Sequence, residues 1–236
     1  MKTNKYLKIG GLAAAFFALS TFASCSSDFT NRPSEDQIAM DSYYQNDDQV
    51  RTATDGLYYK TWFQFNNKFF YAVTEVGSGN MFTGSSDVNA MRNFSMNGSD
   101  PELFQGWLSL WANIAQANFL INNLQDRAKS GVSQKVIDNA IGEAHFFRAT
   151  AYFYLVRLWG PVPIIENNLD HVASPIMPTN RVEDIYELIR RDYTKASELL
   201  ENKNRSSNYA VNAKVSKGSA KAMLAKVYLY TKEYDK

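Results

Sequence analysis

The stretch "AIGEAHFFRATAYFYLVRLWGPVPI", residues 140–164, decides the fold. Ala140, Ala144, Phe147, Ala151, Tyr154 and Leu158 recur at alternating steps of four and three, the period of a helix that buries one face. Val136 extends the stripe backwards to Ser133, a residue type suited to an N-cap. Gly160 permits a left-handed helix end, and the prolines of "GPVPI" prevent continuation.

The same grammar repeats on both sides. Upstream, Asp100-Pro101-Glu102 combines an N-cap, a first-turn proline and an acid placed to face the helix dipole. A stripe of Leu103, Trp107, Leu110, Ile114, Ala117, Ile121 and Leu124 follows it. Downstream, Asn180 with Glu183 resembles a capping box ahead of Val182, Ile185, Tyr186, Ile189, Tyr193 and Ala196. Ser216 is placed to cap "KGSAKAMLAKVYLY", where Ala220 and Ala225 allow close helix approach. "TKEYDK" then reads as a turn entering another helix. A helical pair without its second half cannot bury its apolar face, so the chain is expected to be truncated at its C-terminus. Near the start, Asn46 or Asp47 caps a helix to about Phe65, with Val50, Thr54, Leu57 and Thr61 on one stripe. Between these helices, residues 70–98 break the period. "EVGSGNMFTGSSDVNAMRNFSMNGSD" is rich in Gly, Ser and Asn, a long loop with aromatics set into it, and such loops are often functional. The expected fold class is all-α: helical hairpins with long irregular loops.

The first 24 residues read differently. "MKTNKYLK" is basic, "IGGLAAAFFALSTF" is apolar but too short to span a bilayer, and Ala23-Ser24 are small. That is a secretory signal, and the chain's single cysteine, Cys25, follows it directly. "FASC" resembles the lipobox of bacterial lipoproteins, in which the thiol of the cysteine carries a diacylglycerol. A lipidated Cys25 anchors the protein without spanning the membrane, since two or more acyl chains make attachment stable. Ser26, rather than an acid, stands next to it, which favours outer-membrane sorting. The expected division is signal peptide 1–24, lipidated N-terminus and tether 25–45, and helical domain 46–236.

Composition excludes more than it names. Net charge is +1, and there is no basic run, finger spacing or basic-aromatic interleaving, so nucleic acid is not an expected partner. The chain shows no glycine-rich phosphate loop, "GxSxG" or "HExxH". His145 and Glu143 are two positions apart, which diverge on a helix, so neither a metal site nor any cofactor is expected. Glu75 and Asp87 satisfy the minimal requirement of a glycosidase pair, two carboxyl groups, but acids in a polar loop arise by chance. The expectation is a protein that is not an enzyme.

Residues 140–164 resemble the hallmark helix and turn of the SusD/RagB family of nutrient-binding outer-membrane lipoproteins. "PTNRVEDIYELIRRDYTKASELL" resembles that family's following helix, and "VSKGSAKAMLAKVYLYTKEYDK" its next tetratricopeptide-like repeat. "VTEVGSGNMF" fits its loop after the first helix less specifically. The resemblance covers the N-terminal portion of such proteins. It implies a tetratricopeptide-like scaffold and a lipid-anchored, surface-exposed location on the outer membrane. It also implies capture of an oligosaccharide or other nutrient for a SusC-type TonB-dependent transporter. The rival is a helical-repeat scaffold lipoprotein that assembles envelope proteins and binds no sugar. Such a scaffold should carry its exposed aromatics on the helices instead of the loop.

Glycan capture stacks flat aromatic faces on sugar rings while amides and charged groups bond the hydroxyls. Phe82 and Phe94 lie in the long loop beside Asn80 and Arg92, and these four are the candidate ligand residues. The competing reading has both phenylalanines tucking the loop onto the core. Arg148 and Arg157 flank the aromatic run; each is read as a structural ion pair or carbonyl cap in preference to a ligand clamp.

Overall fold

The computed structural model describes residues 43–58, 62–170, 172, 176–202 and 213–236, with the side chains of 62–64 excepted. Cys25 and the signal and tether segments lie outside the described residues. The described residues are helical, with no strand among them. The elements are α1 (Asp47–Gly56), α2 (Trp62–Asn67), α3 (Phe69–Tyr71) and a π-helical turn (Ala72–Val76). A 3-10 turn (Ser86–Val88) and α4 (Asn89–Arg92) follow. Four long helices complete the unit: α5 (Pro101–Arg127), α6 (Gln134–Trp159), α7 (Val182–Leu199) and α8 (Lys217–Thr231). No described helix is long and apolar enough to cross a membrane.

The long helices pack in chain order, α5 on α6, α6 on α7 and α7 on α8, which is the expected succession of helical hairpins. α6 is central. Beyond the predicted stripe, Tyr152, Phe153, Leu155 and Ala149 are also buried, because α5 and α1 cover it on one side and α7 on the other. A helix that is apolar nearly all round belongs in the interior. It stops at Gly160 as read but not in the left-handed helical conformation: φ 71 with ψ −130 lies outside that region, though it still costs residues with a Cβ.

Capping followed the sequence in three places and departed from it in two. Asp100 Oδ1 accepts from the Glu102 and Leu103 amides at 3.0 and 3.1 Å. Asn46 accepts from the Gln49 amide, and Ser216 forms a capping box with Ser219. Ser133 sits at the N-cap position of α6 without capping it. Its amide and hydroxyl instead donate to the Asp47 carboxylate at 2.7 and 3.0 Å, tying α6 to α1. Asn180 does not cap α7 either: its Oδ1 accepts from the Ile164 amide at 2.8 Å, which pins the turn after Gly160. Ala225 is exposed, while Ala220 makes the close approach.

The α-helical part of the first helix is Asp47–Gly56, Leu57 and Tyr58 continue it as a π turn, and the chain is helical from Trp62 to Asn67. The segment 70–98 is more ordered than a loop reading allows. Its short turns enclose a small core of Ala72, Val88 and Met91, spaced too irregularly to register as a period. α3 lies so close to α5 that Gly106 is required there. A Cβ on Gly106 would stand 2.3 Å from Phe69 Cδ1, and Phe69 is itself buried. Gly106→Ala is therefore expected to cost about 1–3 kcal/mol through overpacking. That lowers the thermal midpoint by roughly 3–10 °C for a domain of this size. An unchanged midpoint in a calorimetric scan would mean that Phe69 relocates freely.

Candidate functional site

The site is built on α4 and the turns around it. Lys68, between α2 and α3, bonds the Asp87 carboxylate on the 3-10 turn and lies 3.8 Å from Glu102 in the first turn of α5. The Lys68 ammonium holds the Asp87 carboxyl below its ordinary value, so this group is an ion-pair partner and not a proton donor at neutral pH. Met91 on α4 is buried in the small core, which leaves Arg92 on its outward side.

Arg92 then fixes Phe82. Its Nη1 donates to the Thr83 carbonyl at 3.0 Å, and its guanidinium carbon lies 5.4 Å from the centroid of the Phe82 ring. Within about 6 Å a cation on an aromatic face is attracted by the ring quadrupole. Phe82 is nonetheless 82% exposed. Phe94 is 76% exposed and has φ 52, a left-handed conformation that is uncommon for a bulky residue. Local hydrogen bonds explain it. The Phe94 amide donates to Met91 O at 3.3 Å and the Ser95 amide to Ala90 O at 2.9 Å. That pair is a Schellman motif closing α4, with phenylalanine where glycine is usual. Asn80 donates to Glu75 at 3.5 Å, beside the Met81-to-Glu75 backbone bond.

Both phenylalanines thus project outward, contrary to the reading in which they peg the loop to the core. The structure brings Arg92 onto Phe82. It leaves Asn80 on the Glu75 side of the loop. Two outward rings, a guanidinium and an amide on a surface loop offer stacking and hydrogen bonding.

The arginines of α6 are structural. Arg148 is buried and grips Asp192 of α7 through Nε at 2.7 Å and Nη2 at 2.8 Å, while its Nη1 donates to Asn118 of α5 at 2.9 Å. His145 Nδ1 completes the cluster, 2.8 Å from Asp192 Oδ1. Burial alone would raise the Asp192 carboxyl. The hydrogen bonds from Arg148 and His145 outweigh it and hold the group below the usual carboxylate range. Arg157 donates to the Phe153 carbonyl at 2.9 Å and lies 4.1 Å over the Phe153 ring.

One feature has no counterpart in the sequence reading. A groove of about 640 Å³ opens between α5 and the segment after Gly160, lined by Trp107, Trp111, Pro163, Ile165 and Met177 among others. Trp107 falls on the buried stripe of the sequence reading. Trp111 lies off that stripe, and its position was the available signal.

Residues 35–229 match the family profile described as SusD-like, starch-binding associating with outer membrane. A SusD-like protein of Bacteroides ovatus is 33% identical over 210 residues, covering 88% of this chain and 37% of that relative. One solved structure superposes with a TM-score of 0.70 at 30% identity, covering 79% of this chain and 35% of the other. Another, determined with xylogluco-oligosaccharide, superposes with a TM-score of 0.63 at 32% identity, covering 76% and 34%. The chain spans little more than a third of the length of these relatives.

Proposed function

This chain belongs to the SusD-like family, and on that premise we propose that it is the N-terminal portion of a non-catalytic surface lipoprotein. It captures an oligosaccharide and delivers it to a SusC-type TonB-dependent transporter. The observation that carries the reading is the outward pair Phe82 and Phe94, with Arg92 stacked on the first ring. Flat aromatic rings suit the apolar face of a pyranose. The relative solved with xylogluco-oligosaccharide supports a glycan as the ligand class. A helical-repeat scaffold without sugar binding is the alternative: Phe82 and Phe94 stand on the loop, but Phe104 on α5 and Tyr230 on α8 are exposed as well.

Cys25 carries the lipid, the loop 77–98 supplies part of the ligand surface, and the helical hairpins form the frame. A gentle detergent pull-down of the full-length native lipoprotein from outer membranes tests this. A large TonB-dependent barrel in near-equal amount is the expected result. The Cys25→Ala form should leave the membrane fraction altogether. Recovery of only periplasmic or assembly proteins would transfer the protein to the scaffold class, and firm attachment of Cys25→Ala would remove the lipid anchor.

A further inference from the structure

The outer wall of the groove beside α5, the segment after Gly160, is held by side-chain hydrogen bonds that link it to α5 and α6. The Ile165 amide donates to Tyr152 Oη at 2.7 Å, and the Ile165 carbonyl accepts from Asn118 Nδ2 at 2.8 Å. Asn168 Nδ2 donates to the Ala115 carbonyl at 2.8 Å, and Asn122 Nδ2 to the Glu166 carbonyl at 2.8 Å. The inner wall is the half-buried pair Trp107 and Trp111, whose rings lie 5.5 Å apart and tilted by 59°. Binding sites for small ligands have this character: preformed, several hundred cubic ångströms, mostly apolar, with few polar groups. Asn168 supplies the polar group at the rim. An amide has two N–H donors and two acceptor lone pairs. Asn168 uses one donor on Ala115 and one lone pair on Asn118, leaving one of each for a ligand hydroxyl.

α5 connects this groove to the loop. Phe104, Leu108, Trp111 and Ala115 follow at steps of four, three and four, so they share one helix face. Phe104 and Leu108 are exposed, 56% and 46%, and Ala115 lines the groove. The strip is about 16 Å long at 1.5 Å per residue, the span of a few linked pyranose rings. It starts in the first turns of α5, where the loop 77–98 arrives, and ends in the groove. A globular surface patch would suit a protein face; a narrow strip ending in a preformed groove suits a linear chain.

We propose that the Trp107–Trp111 groove is a second carbohydrate subsite, which takes a distal pyranose of the oligosaccharide that the Phe82–Phe94 loop holds. The proposal rests on the glycan-binding reading above. The apolar C–H face of the ring lies on the indoles and one hydroxyl bonds Asn168, while Phe104 and Leu108 contact the units between.

Chain length is the variable that tests it. Affinities of the full-length protein are measured by calorimetry for two ladders of two to nine units, malto-oligosaccharides and xylogluco-oligosaccharides. Ala115→Arg fills the groove from an exposed helical position. Val172→Asp, also exposed and at the groove, guards against one variant misfolding. Wild type should gain roughly tenfold in affinity once the ligand is long enough to reach the groove, because the second contact becomes intramolecular. Both groove variants should lose that gain and bind the shortest ligands as wild type does, with unchanged thermal midpoints. If both variants follow the wild-type length dependence, the groove is no subsite while the loop reading stands. If wild type binds no member of either ladder, the glycan reading fails and the subsite with it.

Discussion

Arg148→Ala is expected to cost about 3–5 kcal/mol of stability, because it strands a buried carboxylate. Asp192 is 0% exposed and takes two of its hydrogen bonds from Arg148, leaving His145 as its remaining side-chain partner. Native domains are stable by only about 5–15 kcal/mol, so the variant should unfold at far lower denaturant or be lost on expression. The cost belongs to the orphaned charge more than to the pair's attraction. Replacing both members, Arg148→Met with Asp192→Leu, should therefore be much less damaging than either single change. Denaturant titration of the three variants measures it. A double variant as unstable as the sum of the singles would show that packing, and not charge, is what the pair contributes.

The same cluster sets an acid limit. Asp192 has a folded pKa below its unfolded value, so its contribution is fully present above the unfolded value, near 4. It disappears as pH falls from there through the folded pKa. Wild type should lose stability over that window, and Asp192→Asn, though less stable at neutral pH, should show a flatter profile there.

The elements that the sequence made legible are those whose signals are local. α5 carries its cap, its first-turn proline and its stripe within one continuous stretch, and α6 carries its glycine stop, so both were readable from spacing alone. The misread caps have the opposite character. Ser133 answers to Asp47, 86 residues earlier, and Asn180 to Ile164, across a turn. Nothing near either residue announces the partner, and the local alternative, an N-cap, is what short polar side chains ordinarily do. Asp192 is the sharpest case. Nothing near Asp192 in the sequence marks it as buried; its partner Arg148 stands 44 residues earlier, on another helix. For the site, residue types were legible and exposure was not. A phenylalanine in a polar loop serves as a peg or as a platform, and only the Schellman closure of α4 and the Arg92 contact decide which. The groove was hidden because its two walls come from α5 and the turn after α6, each ordinary by itself.

That distinction gives the binding prediction its form. Phe82→Ala with Phe94→Ala, in the full-length protein, should weaken oligosaccharide binding at least roughly thirtyfold, about 2 kcal/mol, as the loss of two contact aromatics usually does. Stability should be nearly unchanged, since both rings are mostly exposed and exposed substitutions rarely exceed about 0.5 kcal/mol. Backbone strain does not confound the change at Phe94: alanine has the same Cβ, and so meets the same penalty at φ 52. Phe82→Leu separates the two things a ring supplies. Leucine keeps most of the apolar surface but has no flat face, and it removes the partner of the Arg92 guanidinium. If binding works by stacking, Phe82→Leu should fall nearly as far as Phe82→Ala; if it works by apolar burial alone, leucine should retain most of the affinity. Calorimetry with a glycan that wild type binds distinguishes them. Full affinity in the double alanine variant would move the ligand surface off this loop.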